Sequence, residues 1–191
     1  MNNIIGLNKF QQASINFKKK QKAFTLIEVL IAISILTIGI LSGFILITKV
    51  LYSTTVIQDR LTASFLAQEG VELVRQVRDS NFLKIMNGES IEWKDGLADG
   101  SYIIESKAGN QQPITLVSVD PGEAPNFLYD NDSDSKIYNY TIGEPTTFNR
   151  EIRITSINDD EIRVESIIKW KSKNIDFDLI VEDHLFNWMK L

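Results

Sequence analysis

Glu28 is the residue whose surroundings most demand a chemical explanation. It is the only charged residue among the 26 residues between Lys22 and Lys49. An acid in a membrane span costs on the order of 2.5 to 3.5 kcal/mol on insertion scales, less near the interface, and such a residue usually has a functional partner. An ionised carboxylate in hydrocarbon must find a cation or become neutral. We therefore expect Glu28 to pair with a positive group.

Three aspartates, Asp130, Asp132 and Asp134, alternate in the sequence DNDSDS and are the candidates for metal chemistry. Oxygen-rich loops of this kind can bind hard cations such as calcium. The EF-hand pattern, however, needs glycine at its sixth position and glutamate at its twelfth, where this chain has Ser135 and Thr141. We favour a solvated loop over a calcium site, and we expect no metal and no cofactor.

The sequence carries no arrangement typical of an enzyme. It has one histidine and no cysteine, and it lacks a nucleophile elbow, a P-loop and a dinucleotide-binding fingerprint. His184 follows a strand pattern among apolar residues and is most simply a surface or packing histidine. We therefore predict that the chain is not an enzyme.

The segment that holds Glu28 is long enough to cross a membrane. At about 1.5 Å per residue, a helix of this length exceeds the roughly 30 Å of a bilayer's hydrocarbon core. A secretory signal peptide has a shorter apolar run, of roughly 7 to 15 residues, with a small-residue cleavage site after it. A plain signal anchor fits the length better, but it leaves Glu28 unexplained.

Charge along the chain predicts the orientation of this span. Residues 1–23 hold five lysines and no acid, four of them in the cluster Lys18, Lys19, Lys20 and Lys22. The positive-inside bias therefore places the N-terminus in the cytoplasm and the remaining chain outside it. Without residues 1–23 the chain has 15 basic and 25 acidic residues, a formal charge of −10. Such a surface is poor for nucleic acid, so we expect no direct nucleic-acid partner.

The residues Ala23-Phe24-Thr25-Leu26-Ile27-Glu28 follow the lysine cluster and open the apolar run. This arrangement resembles the prepilin-type N-terminal motif of type IV pilins and type II secretion pseudopilins. The resemblance covers about residues 18–50, and beyond them it extends only to architecture, more loosely that of the minor pilins and pseudopilins. The family usually has glycine where Ala23 stands, although alanine is also small.

The resemblance implies a processing pathway. A membrane-embedded aspartic peptidase on the cytoplasmic side would cleave between Ala23 and Phe24, and the new amino terminus of Phe24 would be N-methylated. In the family, the glutamate at the position of Glu28 pairs with the terminal amine of a neighbouring subunit during filament assembly. The implied partners are the prepilin peptidase and methyltransferase, other pilin subunits and the membrane.

Elementary electrostatics supports this pairing independently of the resemblance. A terminal amine, with a pKa of about 7.7 to 8.0, is largely protonated at neutral pH. Before cleavage the Phe24 nitrogen is a neutral amide, and cleavage converts it into a cation. We therefore interpret processing as an electrostatic switch for assembly.

The proline pattern predicts one long helix with two parts. No proline occurs from the span to Pro113, so a helix can run from about Phe24 to about Met86, with a stop at Asn87-Gly88. The outer half is amphipathic, and we expect its apolar stripe to face a globular domain. That stripe consists of Ile57, Leu61 and Phe65 at four-residue spacing, continued by Leu66, Leu73 and Val77.

Within the span, Gly39 and Gly43 form a G-x-x-x-G pattern. This pattern indicates either close helix association or local unwinding in a packed filament.

The last third of the chain predicts an antiparallel sheet. Apolar and polar residues alternate over 152–155, 162–171 and 175–182, which is typical of a meander with one buried face. The natural hairpin turns are Asn158-Asp159-Asp160 and Ser172-Lys173-Asn174, whereas residues 120–135 are predicted to be a loop. The outer half of the helix is the obvious partner for the buried face. The predicted fold class is therefore α+β, a long N-terminal helix packed on a C-terminal antiparallel sheet.

These observations predict four segments: a cleaved basic leader at 1–23, a transmembrane assembly helix at 24–48, an amphipathic outer half at 49–87 and a sheet domain at 88–191. The predicted function is that of a minor pilin or pseudopilin, a single-pass inner-membrane protein that enters a surface or periplasmic filament. The alternative is a membrane-anchored extracytoplasmic binding module that does not polymerise.

Overall fold

A computed structural model describes residues 23–104, 114, 116–131 and 137–189 of the 191-residue chain. The described residues form one helix and seven strands. These are α1 (Leu26–Met86), β1 (Gly100–Ile103), β2 (Val117–Ser118), β3 (Asn126–Tyr129), β4 (Tyr138–Asn139), β5 (Glu144–Asn158), β6 (Glu161–Ser172) and β7 (Ile175–Phe186).

The chain divides into two units, Met1–Lys49 and Val50–Leu191. In the first unit, the described residues are the start of α1 and the three residues before it, and all of them are exposed. By length and composition, α1 contains a segment that is apolar enough to cross a membrane. The second unit contains the remainder of α1 and all seven strands.

Helix α1 ends where the sequence predicts. Its last residue is Met86, and Gly88 adopts a φ of 84°, in the left-handed region that glycine tolerates best. Gly88 N–H donates to the Ile85 carbonyl at 3.0 Å, and Glu89 N–H donates to the Lys84 carbonyl at 3.0 Å. This pair of bonds is a Schellman motif, which satisfies carbonyls that the end of the helix would otherwise leave unpaired.

The face of α1 that packs on the sheet differs in part from the prediction. Leu66 and Leu73 are buried as expected, but Ile57, Leu61 and Phe65 are exposed, so the prediction that these three face the domain is wrong. The physical reason is that the sheet approaches α1 on the side of three small residues, Ala63, Ala67 and Gly70, which a pattern based on large apolar residues does not mark. The buried helix residues are Ala63, Leu66, Ala67, Gly70, Val71, Leu73, Val74, Asn81 and Phe82.

The sheet is antiparallel and organised around β5, the longest strand. One edge of β5 pairs with β6 along Asn149–Asn158, and β6 pairs in turn with β7 over the full length of both strands. The other edge of β5 pairs with β3 near its start and with β1 further along. Strands β2 and β4 extend β1 and β3, respectively. The α+β prediction, a long helix packed on a C-terminal antiparallel sheet, is therefore confirmed.

Both predicted hairpin turns are present. Asp159 and Asp160 form the turn between β5 and β6, and Lys173 and Asn174 form the turn between β6 and β7. Lys173 and Asn174 have φ angles of 47° and 66°, the pair of positive values that a type I′ turn requires. Such a turn matches the twist of the flanking strands, so the register of β6 and β7 is fixed locally.

The prediction of an uninterrupted loop at 120–135 is wrong, because β3 lies inside it. Phe127 is fully buried, and its ring stacks on Tyr140 with centroids 4.6 Å apart. A four-residue strand among turn-forming residues has too little periodicity to be recognised, and its burial depends on aromatic residues elsewhere in the chain.

The core between α1 and the sheet consists of two clusters. The first contains Leu73, Val74, Phe82, Trp93, Leu97, Ile104, Ile152, Ile154, Ile162, Val164 and Leu185. The second contains Ala63, Leu66, Ala67, Phe127, Phe148, Ile168 and Trp170. The second cluster is rich in aromatic residues, whose large side chains fill the space beside the small helix residues Ala63 and Ala67.

Candidate processing and assembly site

The predicted cleavage position lies just ahead of the helix. Ala23, Phe24 and Thr25 precede α1, and both sides of the Ala23–Phe24 peptide bond are exposed and lie outside the helix. A peptidase must bind a substrate segment whose backbone is not engaged in helical hydrogen bonds. The described geometry meets this requirement at the predicted position.

Thr25 caps the start of α1. Its hydroxyl oxygen accepts a hydrogen bond from Glu28 N–H at 3.3 Å, and its carbonyl accepts one from Val29 N–H at 3.2 Å. Thr25 and Glu28 thus stand in the spacing of a capping box, with threonine at the N-cap and glutamate three residues later. The T-x-x-E spacing is visible in the sequence and is a local signal for the start of a helix.

Glu28 lies in the first turn of α1, where the helix end changes the energy of a charged side chain. The N-terminal end of a helix carries a partial positive charge, which favours an acid there. The Glu28 carboxylate itself has no hydrogen bond or ion pair with any residue that the structure describes. The helix end therefore lowers the free-energy cost of an acid at this position.

Four hydroxyl side chains of the span, unlike the Glu28 carboxylate, have hydrogen-bond partners within α1. Each of four hydroxyls donates to a helix carbonyl three or four residues earlier, at 2.7 to 2.9 Å, so these groups need no outside partner. They belong to Ser34, Thr37, Ser42 and Thr48. Around Gly39 and Gly43, an added Cβ would meet nothing within 4 Å, which is compatible with either use of the G-x-x-x-G pattern.

In the second unit, a buried arginine joins the sheet to α1. Arg150 on β5 has a side chain that is 1% exposed, and its guanidinium lies 5.0 Å from the centre of the Phe127 ring. It donates to the Leu66 carbonyl at 2.8 Å and to Glu69 at 3.0 Å, both on α1, and also to the Ile104 carbonyl. Sequence analysis missed this residue, although it stands at a position of β5 that faces the core, between the inward-facing residues Phe148 and Ile152.

The neighbouring residue, Glu151, performs a similar role on the opposite face of the sheet. Its carboxylate accepts hydrogen bonds from Ser101 Oγ at 2.7 Å, Gly122 N–H at 2.9 Å and Arg153 at 3.0 Å. Burial raises the pKa of this carboxyl, but the three hydrogen bonds outweigh burial and hold its pKa below the ordinary glutamate value. Glu151 thereby anchors the turn that contains Gly122 to the sheet.

His184 lies at the sheet surface rather than in a catalytic arrangement. Its side chain is 39% exposed, with Nδ1 2.6 Å from Glu161 and Nε2 3.3 Å from Glu182. Hydrogen bonds to these carboxylates raise the pKa of the imidazole above its ordinary value. No nucleophile or third catalytic group contacts His184 among the described residues.

The structure describes only one of the three candidate calcium ligands. Asp130 immediately follows β3, while Asp132 and Asp134 lie outside the described residues. Among the residues that are described, no group of three or more acidic or histidine side chains is arranged to hold a metal ion.

A groove of about 730 Å³ lies beside β5, β6 and β7, and the residues lining it include Arg153, Lys169, Asp176 and Asp178. The lining residues carry charges of both signs. Arg153 is paired with Glu151 at 3.0 Å, and Lys171 lies 3.8 Å from Asp176. The groove therefore presents surface charges that include ion pairs. Its described lining residues do not form a catalytic set of an acid, a base and a nucleophile.

A long N-terminal helix packed on an antiparallel sheet defines the class: the fold is a pilin-like α+β arrangement. Comparison with known families agrees. Residues 18–44 match the family model of the prokaryotic N-terminal methylation motif, the signature of type IV pilins and pseudopilins. No curated protein and no solved structure matches the chain.

The match supports a processed subunit of the pilin or pseudopilin kind, and proteins with this motif are structural subunits and not enzymes. The motif also implies processing by a prepilin peptidase and association with pilin subunits in a membrane. Together with the apolar helix, it fits a single-pass inner-membrane anchor.

Proposed function

We propose that this chain is a minor pilin or pseudopilin, a structural subunit of a type IV pilus or a type II secretion-like filament. The observation that carries the proposal is the methylation motif at residues 18–44, which overlaps the start of an uninterrupted 61-residue helix, Leu26–Met86. The chain is not an enzyme in this account. It is instead a substrate of the peptidase and methyltransferase that mature it.

Processing divides the chain into parts with separate roles. Residues 1–23 are a leader that is removed, and residues 24–48 form the transmembrane helix that enters the filament. Residues 49–87 continue this helix as the support of a sheet domain at 88–191. The N-terminus faces the cytoplasm before cleavage, and the sheet domain lies outside the inner membrane.

Assembly depends on a charge that cleavage creates. Scission between Ala23 and Phe24 converts a neutral amide nitrogen into an amine that is largely protonated at neutral pH. That amine, N-methylated on Phe24, pairs with Glu28 of an adjoining subunit.

Intact mass tests the proposal. The full chain is co-expressed with a prepilin peptidase, purified from membranes and compared with an Ala23→Leu variant, whose larger side chain should block scission. We expect the natural chain to lose residues 1–23 and to gain one methyl group, while the variant retains Met1. An uncut, unmodified natural chain would contradict the proposal and favour an anchored binding module that does not polymerise.

A further inference from the structure

We propose that the free edge of β7 is a docking surface for an extended segment of another protein, a segment in which basic and apolar residues alternate. Such a segment adds a strand to the sheet, which is a recurring mode of peptide recognition. The inference goes beyond the proposed function, because it concerns the second unit alone and uses neither the cleavage position nor the span.

Strand β7 forms one edge of the sheet. It has 12 residues, and among the described strands it pairs only with β6. Among the described residues, no backbone hydrogen bond outside the strand ladders reaches it. At about 3.4 Å per residue the edge is roughly 40 Å long, so it presents a long row of backbone donors and acceptors to a further strand.

The hairpin turn determines which residues of β7 direct their backbone groups to the free edge. Ser172 and Ile175 flank the two-residue turn, and such a closing pair exchanges both backbone hydrogen bonds. Because these groups alternate along a strand, the odd-numbered residues of β7 bond to β6 and the even-numbered ones point away from it. His184 agrees with this, since its N–H donates to the Asp183 carboxylate at 2.9 Å.

The devices that natural proteins use to prevent strand addition do not block this edge. Strand β7 contains no proline and no lysine, and its pairing with β6 runs from Ile175 to Phe186 without a bulge. Asp183, the charged side chain on the core side of the strand, is neutralised by Arg75 on α1 at 2.7 Å. A further strand therefore meets no unpaired charge on the core side.

The outer face of β7 selects a basic partner. Three acids lie on this face: Asp176, Asp178 and Glu182. On the β6 side they stand opposite two bases and an acid: Lys171, Lys169 and Glu165. Existing partners leave the acids accessible, because Asp176 remains 85% exposed beside Lys171 and Glu182 remains 48% exposed beside His184. A strand added at the free edge lies about 4.8 Å away, so basic residues on it pair directly with these acids.

The core side of β7 selects apolar residues. Phe177, Leu179 and Val181 are half-buried and pack against the second core cluster. Arg60 on α1 lies over the Phe177 ring, 5.7 Å from its centre, and covers part of it from the helix side. The alternate side chains of an added strand lie beside these three residues, where burial of apolar surface is favourable. The partner is therefore a strand with bases on one face and apolar side chains on the other.

A second copy of β7 fits this edge poorly. In an antiparallel pair centred on Ile180, Asp178 of each copy stands opposite Glu182 of the other. A parallel pair in register places every acid opposite itself. Like charges directly opposite each other destabilise a sheet. The acids therefore oppose self-association while they favour a basic strand.

Peptide binding to the full chain in non-ionic detergent tests the proposal. The probe is a fluorescent peptide of four lysine–valine repeats with blocked ends, and its anisotropy gives the Kd. A peptide of four glutamate–valine repeats is the charge control, and we expect it to bind at least about tenfold more weakly. Equal binding of the two peptides would overturn the proposal.

Two methylated probes test whether binding uses the backbone. One carries N-methyl groups on its lysine nitrogens and the other on its valine nitrogens, so each loses the donors of one edge and keeps its charge. We expect one of them to bind at least about tenfold more weakly than the parent peptide, because a strand bonds to β7 through one edge only. Undiminished binding of both would show charge attraction without strand addition and would contradict the inference.

Substitutions in the full chain locate the binding. The edge variant removes the three outer acids of β7: Asp176→Asn, Asp178→Asn and Glu182→Gln. The matched control removes three exposed acids elsewhere: Glu89→Gln, Glu123→Gln and Glu144→Gln. We expect the edge variant to weaken binding of the lysine–valine peptide about tenfold and the control to change it less than about twofold. Equal losses would show that the peptide responds only to net charge and would overturn the proposal.

Ile180→Pro tests the edge without changing the charge. It removes a backbone N–H that points away from β6, so the β6 ladder keeps its hydrogen bonds. We expect it to weaken peptide binding at least about fivefold. Thermal unfolding checks that this variant is folded, and the charge variants decide the question if it is not. All of these measurements use the uncleaved chain, so their outcome is independent of processing at Phe24.

Discussion

Arg150 on β5 donates a hydrogen bond to the backbone carbonyl of Leu66 on α1 at 2.8 Å, across the middle of the core. The same guanidinium reaches Glu69 on the helix and the Ile104 carbonyl beyond β1. A planar group with five donors in a fixed fork can bridge acceptors on separate elements in this way. Arg150 therefore fixes the position of the helix on the sheet as well as contributing to packing.

Replacing this arginine should lower stability markedly. Arg150→Met keeps much of the side-chain volume but leaves the Ile104 carbonyl without this donor, so we expect a loss of about 2 to 4 kcal/mol. Lys169→Met removes an exposed strand cation and should cost less than about 0.5 kcal/mol. Denaturant unfolding of the full chain in detergent, followed by tryptophan fluorescence, measures both. Equal stabilities for the two variants would contradict this role for Arg150.

Gly70 marks the closest approach of α1 to the sheet. An added Cβ would lie 2.6 Å from Ser166 Oγ, 2.8 Å from Ile152 Cδ1 and 2.9 Å from Arg150 Cδ. Alanine favours a helix by about 1 kcal/mol over glycine, but overpacking costs roughly 1 to 3 kcal/mol. We expect Gly70→Ala to be destabilising on balance, by about 1 kcal/mol.

A second substitution tests the cause of that loss. The Ser166 hydroxyl is buried and has no hydrogen-bond partner among the described residues, so Ser166→Ala alone should be neutral or stabilising. Combined with Gly70→Ala, it should recover part of the lost unfolding free energy. Additive effects in thermal unfolding would show that Ser166 is not the limiting contact.

Glu151 should make stability depend on pH. Because its folded pKa lies below the unfolded value of about 4.3, its contribution is present above that value and is lost as pH falls through the folded pKa. Glu151→Gln should cost about 1 to 3 kcal/mol at pH 7, since the amide cannot accept all three hydrogen bonds. The natural chain and the variant should therefore converge in unfolding free energy as pH falls through the folded pKa of Glu151. A gap that does not narrow would contradict this account.

The elements with strong local signals could be predicted from the sequence. At Asn87-Gly88, the glycine adopts the left-handed conformation, and the N–H groups of Gly88 and Glu89 cap the last carbonyls of the helix. The end of α1 therefore depends on few distant contacts. Strands β5, β6 and β7 alternate regularly and are joined by turn-forming residues. The methylation motif could also be recognised, because the lysine cluster, the small residue at 23, Glu28 and the long apolar run occur together.

The features that could not be predicted depend on tertiary contacts. The sheet packs on Ala63, Ala67 and Gly70 because these small residues permit close approach, whereas a hydrophobicity pattern emphasises Ile57 and Phe65. Strand β3 exists because Phe127 fills the aromatic cluster, which local composition does not reveal. The inward direction of Arg150 follows from the alternation of β5, but its partners Leu66 and Ile104 can be identified only from the folded chain.

The central claim is that cleavage supplies the positive partner of Glu28, and incorporation of a Glu28→Gln variant tests it most directly. The variant is expressed with the peptidase and the filament machinery, beside Ser34→Ala as a control whose side chain bonds only within its own helix. The measurement is the fraction of chain beginning at methylated Phe24 that enters filaments. We predict that Ser34→Ala enters normally, while Glu28→Gln is cut and methylated but enters at least about tenfold less, because the terminal amine loses its counter-charge. Normal incorporation of correctly processed Glu28→Gln would contradict the account.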